Sequence, residues 1–212
     1  MPEDILFPEN NCSLCPRLLD FRQHNRVLFP DKHNAPVPAF GQIGAYLAII
    51  GLAPGLKGAN FSGRPFTGDY AGELLYATLI KYGFAKGRYK ARPEDGLELV
   101  NCRITNSVKC VPPENKPTND EIKTCLRFLK SELAAMHNLK MILSLGMIAH
   151  QSVLRAFNLK LSDYKFGHGR VHHLPDGIRM INSYHCSRYN TQTGRLTPEM
   201  FEDVVSRCAS QL

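Results

Sequence analysis

The chain has 212 residues, 26 Lys+Arg against 19 Asp+Glu and a formal net charge of +7. At roughly 150 residues per domain, that length fits one domain with room for a decorated edge. With 43% hydrophobic and 21% charged residues the chain can bury a core, which excludes acidic disordered and low-complexity classes. The positive balance favours an anionic partner, nucleic acid first, although a basic enzyme with no polyanion partner has the same charge. No stretch approaches a membrane helix, and Met1 to Phe7 is acidic rather than a basic leader. The chain therefore reads as soluble, non-secreted and cytoplasmic, without a membrane partner.

Positions 1 to 45 carry six prolines and no sustained periodicity, so they read as an irregular arm with one helix near 16 to 24. The run from Tyr46 to Gly51 is continuously apolar, as expected of a strand buried on both faces. A Gly- and Pro-rich loop follows to Gly72, then a helix over 73 to 82. Positions 104 to 108 alternate β-branched residues and predict a second strand. Thr118 caps a helix reaching about Met136, with acidic residues in its first turn. A third strand is expected over 140 to 145, followed by Gly146 and a helix to about Phe157, and a fourth over 177 to 182. The last helix starts after Leu196, with Thr197 as N-cap and Pro198 in the first helical position. Strands alternating with helices predict an α/β fold: three αβα layers around a central, mainly parallel four-stranded sheet. Its site is expected at the carboxyl ends of the strands. No internal repeat or long linker divides the chain, so 1 to 212 reads as a single domain.

Seven cysteines in a chain without an export signal argue for reduced thiols rather than a disulfide framework. Cys12 and Cys15 form a C-x2-C pair, while Cys110 and Cys125 lie far along the chain. Four thiolates so grouped suit an iron–sulfur cluster, a structural zinc site or unligated core positions. Cys102, Cys186 and Cys208 read as bystanders.

The loop from Gly51 to Asn60 is neither a P-loop nor a dinucleotide fingerprint. It is a run of small residues, Gly51 and Ala53 among them, whose backbone can approach a ligand closely. Three segments carry the remaining chemistry: GLAPGLKGANFSGRPFTGDYAG (51 to 72), ITNSVKC (104 to 110) and SYHCSRYNTQTGRLT (183 to 197). Together they resemble the signature regions of the uracil-DNA glycosylase superfamily, most closely its iron–sulfur type 5 branch, and the similarity spans almost the whole chain.

The resemblance implies a prokaryotic, nucleoid-associated, monomeric base-excision repair enzyme. Such an enzyme hydrolyses the N-glycosidic bond of flipped-out uracil in DNA, and by extension hypoxanthine and xanthine. It implies Cys12, Cys15, Cys110 and Cys125 as ligands of a [4Fe-4S] cluster that ties the arm to the domain. Asp69 becomes the catalytic carboxylate, Phe66 the stacking wall, Asn106 the reader of the base edge and His185 the histidine of the last motif. Ser187, Arg188, Asn190 and Thr191 become DNA contacts. Two departures stand out: Cys186 replaces the usual proline after that histidine, and Gly55 stands where many type 5 members carry alanine. The rival expectations are a non-catalytic iron–sulfur module that binds nucleic acid and a member that crosslinks covalently to DNA. The basic stretch Lys81, Lys86, Arg88, Lys90 and Arg92 reads as a solvated face outside the site.

Overall fold

Residues 5–212 are described in a computed structural model; the start of the acidic opening segment, residues 1 to 4, lies outside them. The strand β1 (Leu47–Gly51) is buried along its whole length and lies inside the sheet, next to its edge strand. It pairs in parallel with β4 (Cys102–Asn106) on one side and β5 (Met141–Leu145) on the other. Parallel β7 (Arg179–Ser183) follows, and the short antiparallel β6 (Val171–His173) closes the edge. The sheet therefore has five strands in the order β4-β1-β5-β7-β6, one more than the four expected. The extra strand is only three residues long, with two histidines, too short and too polar to show a period of two.

Alternation along β1 splits the core between two faces. Leu47 and Ile49 pack with α3 (Tyr70–Lys81) and α7 (Pro198–Ala209), while Ala48 and Ile50 pack with α4 (Asn119–Ala135) and α5 (Met147–Ala156). This gives the three αβα layers. Truncating a fully buried contact such as Leu129 of α4 to alanine would cost about 2–5 kcal/mol. The Thr118 hydroxyl accepts from the Glu121 amide, and the Glu121 carboxylate accepts from the Thr118 amide, so a capping box starts α4. The arm contributes α1 (Pro16–Leu28), four residues longer than expected.

A two-stranded hairpin, β2 (Ala85–Lys86) with β3 (Glu98–Leu99), lies beyond α3. Beneath the carboxyl end of β4, buried Glu132 of α4 accepts from Arg103 at 2.7 Å and from Lys109 at 2.8 Å. That pairing offsets the desolvation of three charged groups and pins the strand end to the helix. Gly51 and Asn106 are register partners at the ends of β1 and β4, so the loops after these strands leave the sheet side by side. Among the described residues no helix is long and apolar enough to cross a membrane.

Candidate active site

A cleft of about 320 Å³ opens at the carboxyl ends of the strands, and three chain segments meet in it. The loop after β1 contributes Ala53, Gly55, Phe66 and Asp69, the end of β4 contributes Asn106, and the loop after β7 contributes His185, Ser187 and Arg188. Gly51 lies behind this lining, where a side chain would collide with Asn106 Oδ1 and the Phe66 ring. The absence of a Cβ there lets both groups lean over the end of β1.

Asn106 is 4% exposed, and its Oδ1 has no hydrogen-bond partner. A buried acceptor left unpaired costs about 1–3 kcal/mol, so it marks a place where a ligand donor belongs. Phe66 is buried at φ +55°, a backbone region that non-glycine residues seldom occupy. Its ring stacks beside the His185 imidazole, with centroids 5.9 Å apart and planes 29° from parallel.

Asp69 occupies the N-cap position of α3, but its carboxylate makes no cap bond there. It turns instead to the short helix α2 (Ala59–Ser62) and accepts from the Ala59 amide at 3.3 Å. The carboxylate rests over Gly55 and Gly58, so the two glycines of that loop are spaces for Asp69. Burial raises its pKa above 3.8, against the lowering effect of the Ala59 amide. Burial also depresses the His185 pKa to about 4, which leaves a neutral imidazole able to donate one N–H.

In the last motif, the side chain of Cys186 is buried in the core cluster formed with α3 and α7, and burial pushes its thiol up to about 12. Ser187 caps α6 (Arg188–Gln192) by accepting from the Asn190 amide. The Asn190 side chain donates to the His185 carbonyl at 2.8 Å, and the Thr191 hydroxyl donates to the Ser187 carbonyl. Those two residues shape the loop. Arg188 is exposed, with its guanidinium 5.2 Å from the centre of the Tyr70 ring across the mouth.

Away from the cleft, Cys12, Cys15, Cys110 and Cys125 line one small hollow with Leu18 and Arg22. Burial pushes the Cys15 thiol up to about 11 and Cys125 up to about 12. Cys110 and Cys12 add to the rise at Cys15, and Cys110 and Cys15 to that at Cys125, a sign of their proximity. Arg22 donates to Cys110 Sγ at 2.9 Å and the Lys109 amide donates to Cys125 Sγ at 3.3 Å. The Nε of Arg22 is buried without a partner. Among the described residues, no group of three or more His, Cys, Asp or Glu side chains could hold a single metal ion.

A model of the uracil DNA glycosylase superfamily matches residues 38–208. The chain belongs to that superfamily. Its relatives include a type-5 uracil-DNA glycosylase of Thermus thermophilus, 42% identical over 92% of this chain and 90% of that protein. A second type-5 enzyme, from Pyrobaculum aerophilum, is 36% identical over 94% and 88% of the two chains. A type-4 uracil-DNA glycosylase of Archaeoglobus fulgidus is 31% identical over 70% of this chain and 69% of its own length.

In this superfamily member the three signature segments meet around one cleft, with Asp69, Phe66, Asn106 and His185 all at its wall. Sequence reasoning missed Asn115 and Tyr70, which also line it. Asn115, at φ +57°, follows the PP pair after Cys110, and that turn-forming run was the signal that could have found it.

Proposed function

We propose that this chain is a monofunctional DNA glycosylase that hydrolyses the N-glycosidic bond of uracil flipped out of DNA. One observation carries the reading: the orphaned Oδ1 of Asn106, buried in the same cleft as the desolvated Asp69 carboxylate. Asn106 Oδ1 accepts from uracil N3–H while its amide group donates to O4, a pattern that cytosine presents reversed. Hypoxanthine and xanthine carry the same N–H and carbonyl edge, so they form the second substrate class. Rotating the nucleotide out of the stack costs a few kcal/mol, and stacking on Phe66 returns about 1–3 kcal/mol.

As the bond breaks, the sugar gains oxocarbenium character and the base becomes anionic. The Asp69 carboxylate, held by the Ala59 amide, stabilises the cation and orients the attacking water. The neutral His185 imidazole donates its N–H to uracil O2 as charge accumulates there. Arg188 and Ser187 at the mouth contact the DNA backbone, with Asn190 and Thr191 holding their loop in shape. Of the two lysines in these motifs, Lys109 is buried in its pair with Glu132 and Lys57 does not line the cleft, so neither forms a Schiff base and the strand is left uncut.

Cys12, Cys15, Cys110 and Cys125 hold a [4Fe-4S] cluster in this reading. The donor set supports it: four thiols around one hollow, with Arg22 and the Lys109 amide aimed at sulfur. When bound, the cluster joins the arm to the segment after β4 and does no bond chemistry. Alkali treatment of a uracil-containing duplex tests the activity, with strand breaks at uracil positions as the expected result. No abasic product at stoichiometric protein would refute the reading, and a protein–DNA adduct on a denaturing gel would identify the crosslinking type.

A further inference from the structure

The loop carrying Phe66 and Asp69 is held residue by residue. Arg64 makes a bidentate pair with Asp95, both bonds 2.8 Å, and the Asp95 side chain is completely buried. Asp95 also accepts from the amides of Lys90 and Leu97. The Pro65 carbonyl accepts from the Tyr76 hydroxyl, and the Thr67 carbonyl from Ser62. Between them the Tyr89 hydroxyl does two jobs: it donates to the Phe66 carbonyl and accepts from the Gly68 amide, each at 3.2 Å. Its ring lies 4.7 Å from that of Tyr76. The bonds on both sides of Phe66 therefore fix the residue at positive φ and, two residues later, Gly68, next to Asp69.

Tyr89 and Asp95 both come from the segment joining β2 to β3, which also carries the exposed Arg88, Lys90 and Arg92 of the basic stretch. We infer that this segment is a brace for the catalytic loop, with Tyr89 and Asp95 as positioning residues that hold Phe66 and Asp69 at the base and sugar. The inference rests on the proposed glycosylase reading. Neither residue lines the cleft, so each acts through the loop backbone rather than on the substrate. The brace explains how a residue in a sparsely populated conformation stays there while a base is pushed against its ring: release of the Tyr89 bonds would let Phe66 relax and carry Asp69 with it.

Tyr89→Phe removes the two bonds and keeps the ring packing on Tyr76. Its single-turnover excision rate should fall by about tenfold, with affinity for a uracil duplex and the melting temperature close to wild type. Amide exchange in the peptide containing Gly68 should quicken. Arg64→Lys keeps the charge but loses the fork, and should slow excision and quicken Gly68 exchange likewise, with a lower melting temperature because the buried Asp95 loses half its pairing; where that variant fails to fold, Tyr89→Phe decides. A Tyr89→Phe rate within about twofold of wild type, or unchanged exchange at Gly68, would overturn the brace. A wild-type protein that excises nothing would instead overturn the glycosylase reading, and the exchange result would still decide whether Tyr89 holds the loop.

Discussion

The Asp69 carboxylate lies so close over Gly58 that a Cβ added at that glycine would fall 1.9 Å from Asp69 Cγ. Gly58→Ala therefore has to push the carboxylate away from the Ala59 amide. Displacement of a reacting group by about 1 Å can cost about 10²-fold, so a rate loss of that order is expected with DNA affinity retained. Single-turnover kinetics on a uracil duplex measure it.

Asp69→Asn should separate stability from activity. The Asp69 pKa is raised by burial, so on folding the ionised carboxylate loses hydration, and stability declines as pH rises from 3.8 through the raised value. The neutral amide removes that cost at neutral pH: the melting temperature should rise while the rate falls by about 10²–10⁴-fold. In the wild type the rate should fall on acidification at a pH above the ordinary aspartate range, because the proposed reaction uses the ionised carboxylate.

His185 predicts a flat region in that same profile. Its pKa of about 4 keeps the imidazole neutral through 6.5, so no change in rate should accompany the pH at which a free histidine titrates. The unfolded chain takes up this proton first, so folding stability should decline between pH 6.5 and about 4. Removing the donor with His185→Ala should cost about 10²–10³-fold in rate.

Asn106→Ala removes both the acceptor and the donors offered to the base. The folded protein loses an unsatisfied buried group, while uracil loses its matched edge, so binding of uracil-containing DNA should weaken by about 1–3 kcal/mol. Discrimination between uracil and cytosine should narrow along with it. Competition binding with the two duplexes reads both effects.

Cys125→Ser tests the thiol set by absorbance. The wild type should be brown, and the variant should lose both colour and melting temperature; equal colour in both would exclude Cys125 as a ligand.

The αβα frame was legible because buried parallel strands are short apolar runs and the helices carry their caps. Thr118 and Thr197 both accept the N-cap bonds expected of them. Boundaries drifted at strand ends: the strand expected over 104 to 108 lies at Cys102–Asn106, because its partner β1 ends at Gly51, although the Ser107 and Val108 amides still bond the Gly51 and Leu52 carbonyls. The brace was not legible, because Arg64 and Asp95 stand 31 positions apart and nothing local marks them as a pair. The stretch that holds Tyr89 read as a solvated face because its charges outnumber its anchors.

The sequence by itself determined the family and the residue types that meet in the cleft: a carboxylate, an amide, an imidazole and an aromatic ring. At Asp69, though, the same letters fit a helix cap or a free carboxylate in the cleft, and the path of α2 drew the side chain away from the cap by presenting the Ala59 amide to it. Tertiary structure also decided protonation. The pKa values of Asp69 and His185 are set by the loss of water around them, and that loss comes from loops distant in the chain packing over the same strand ends.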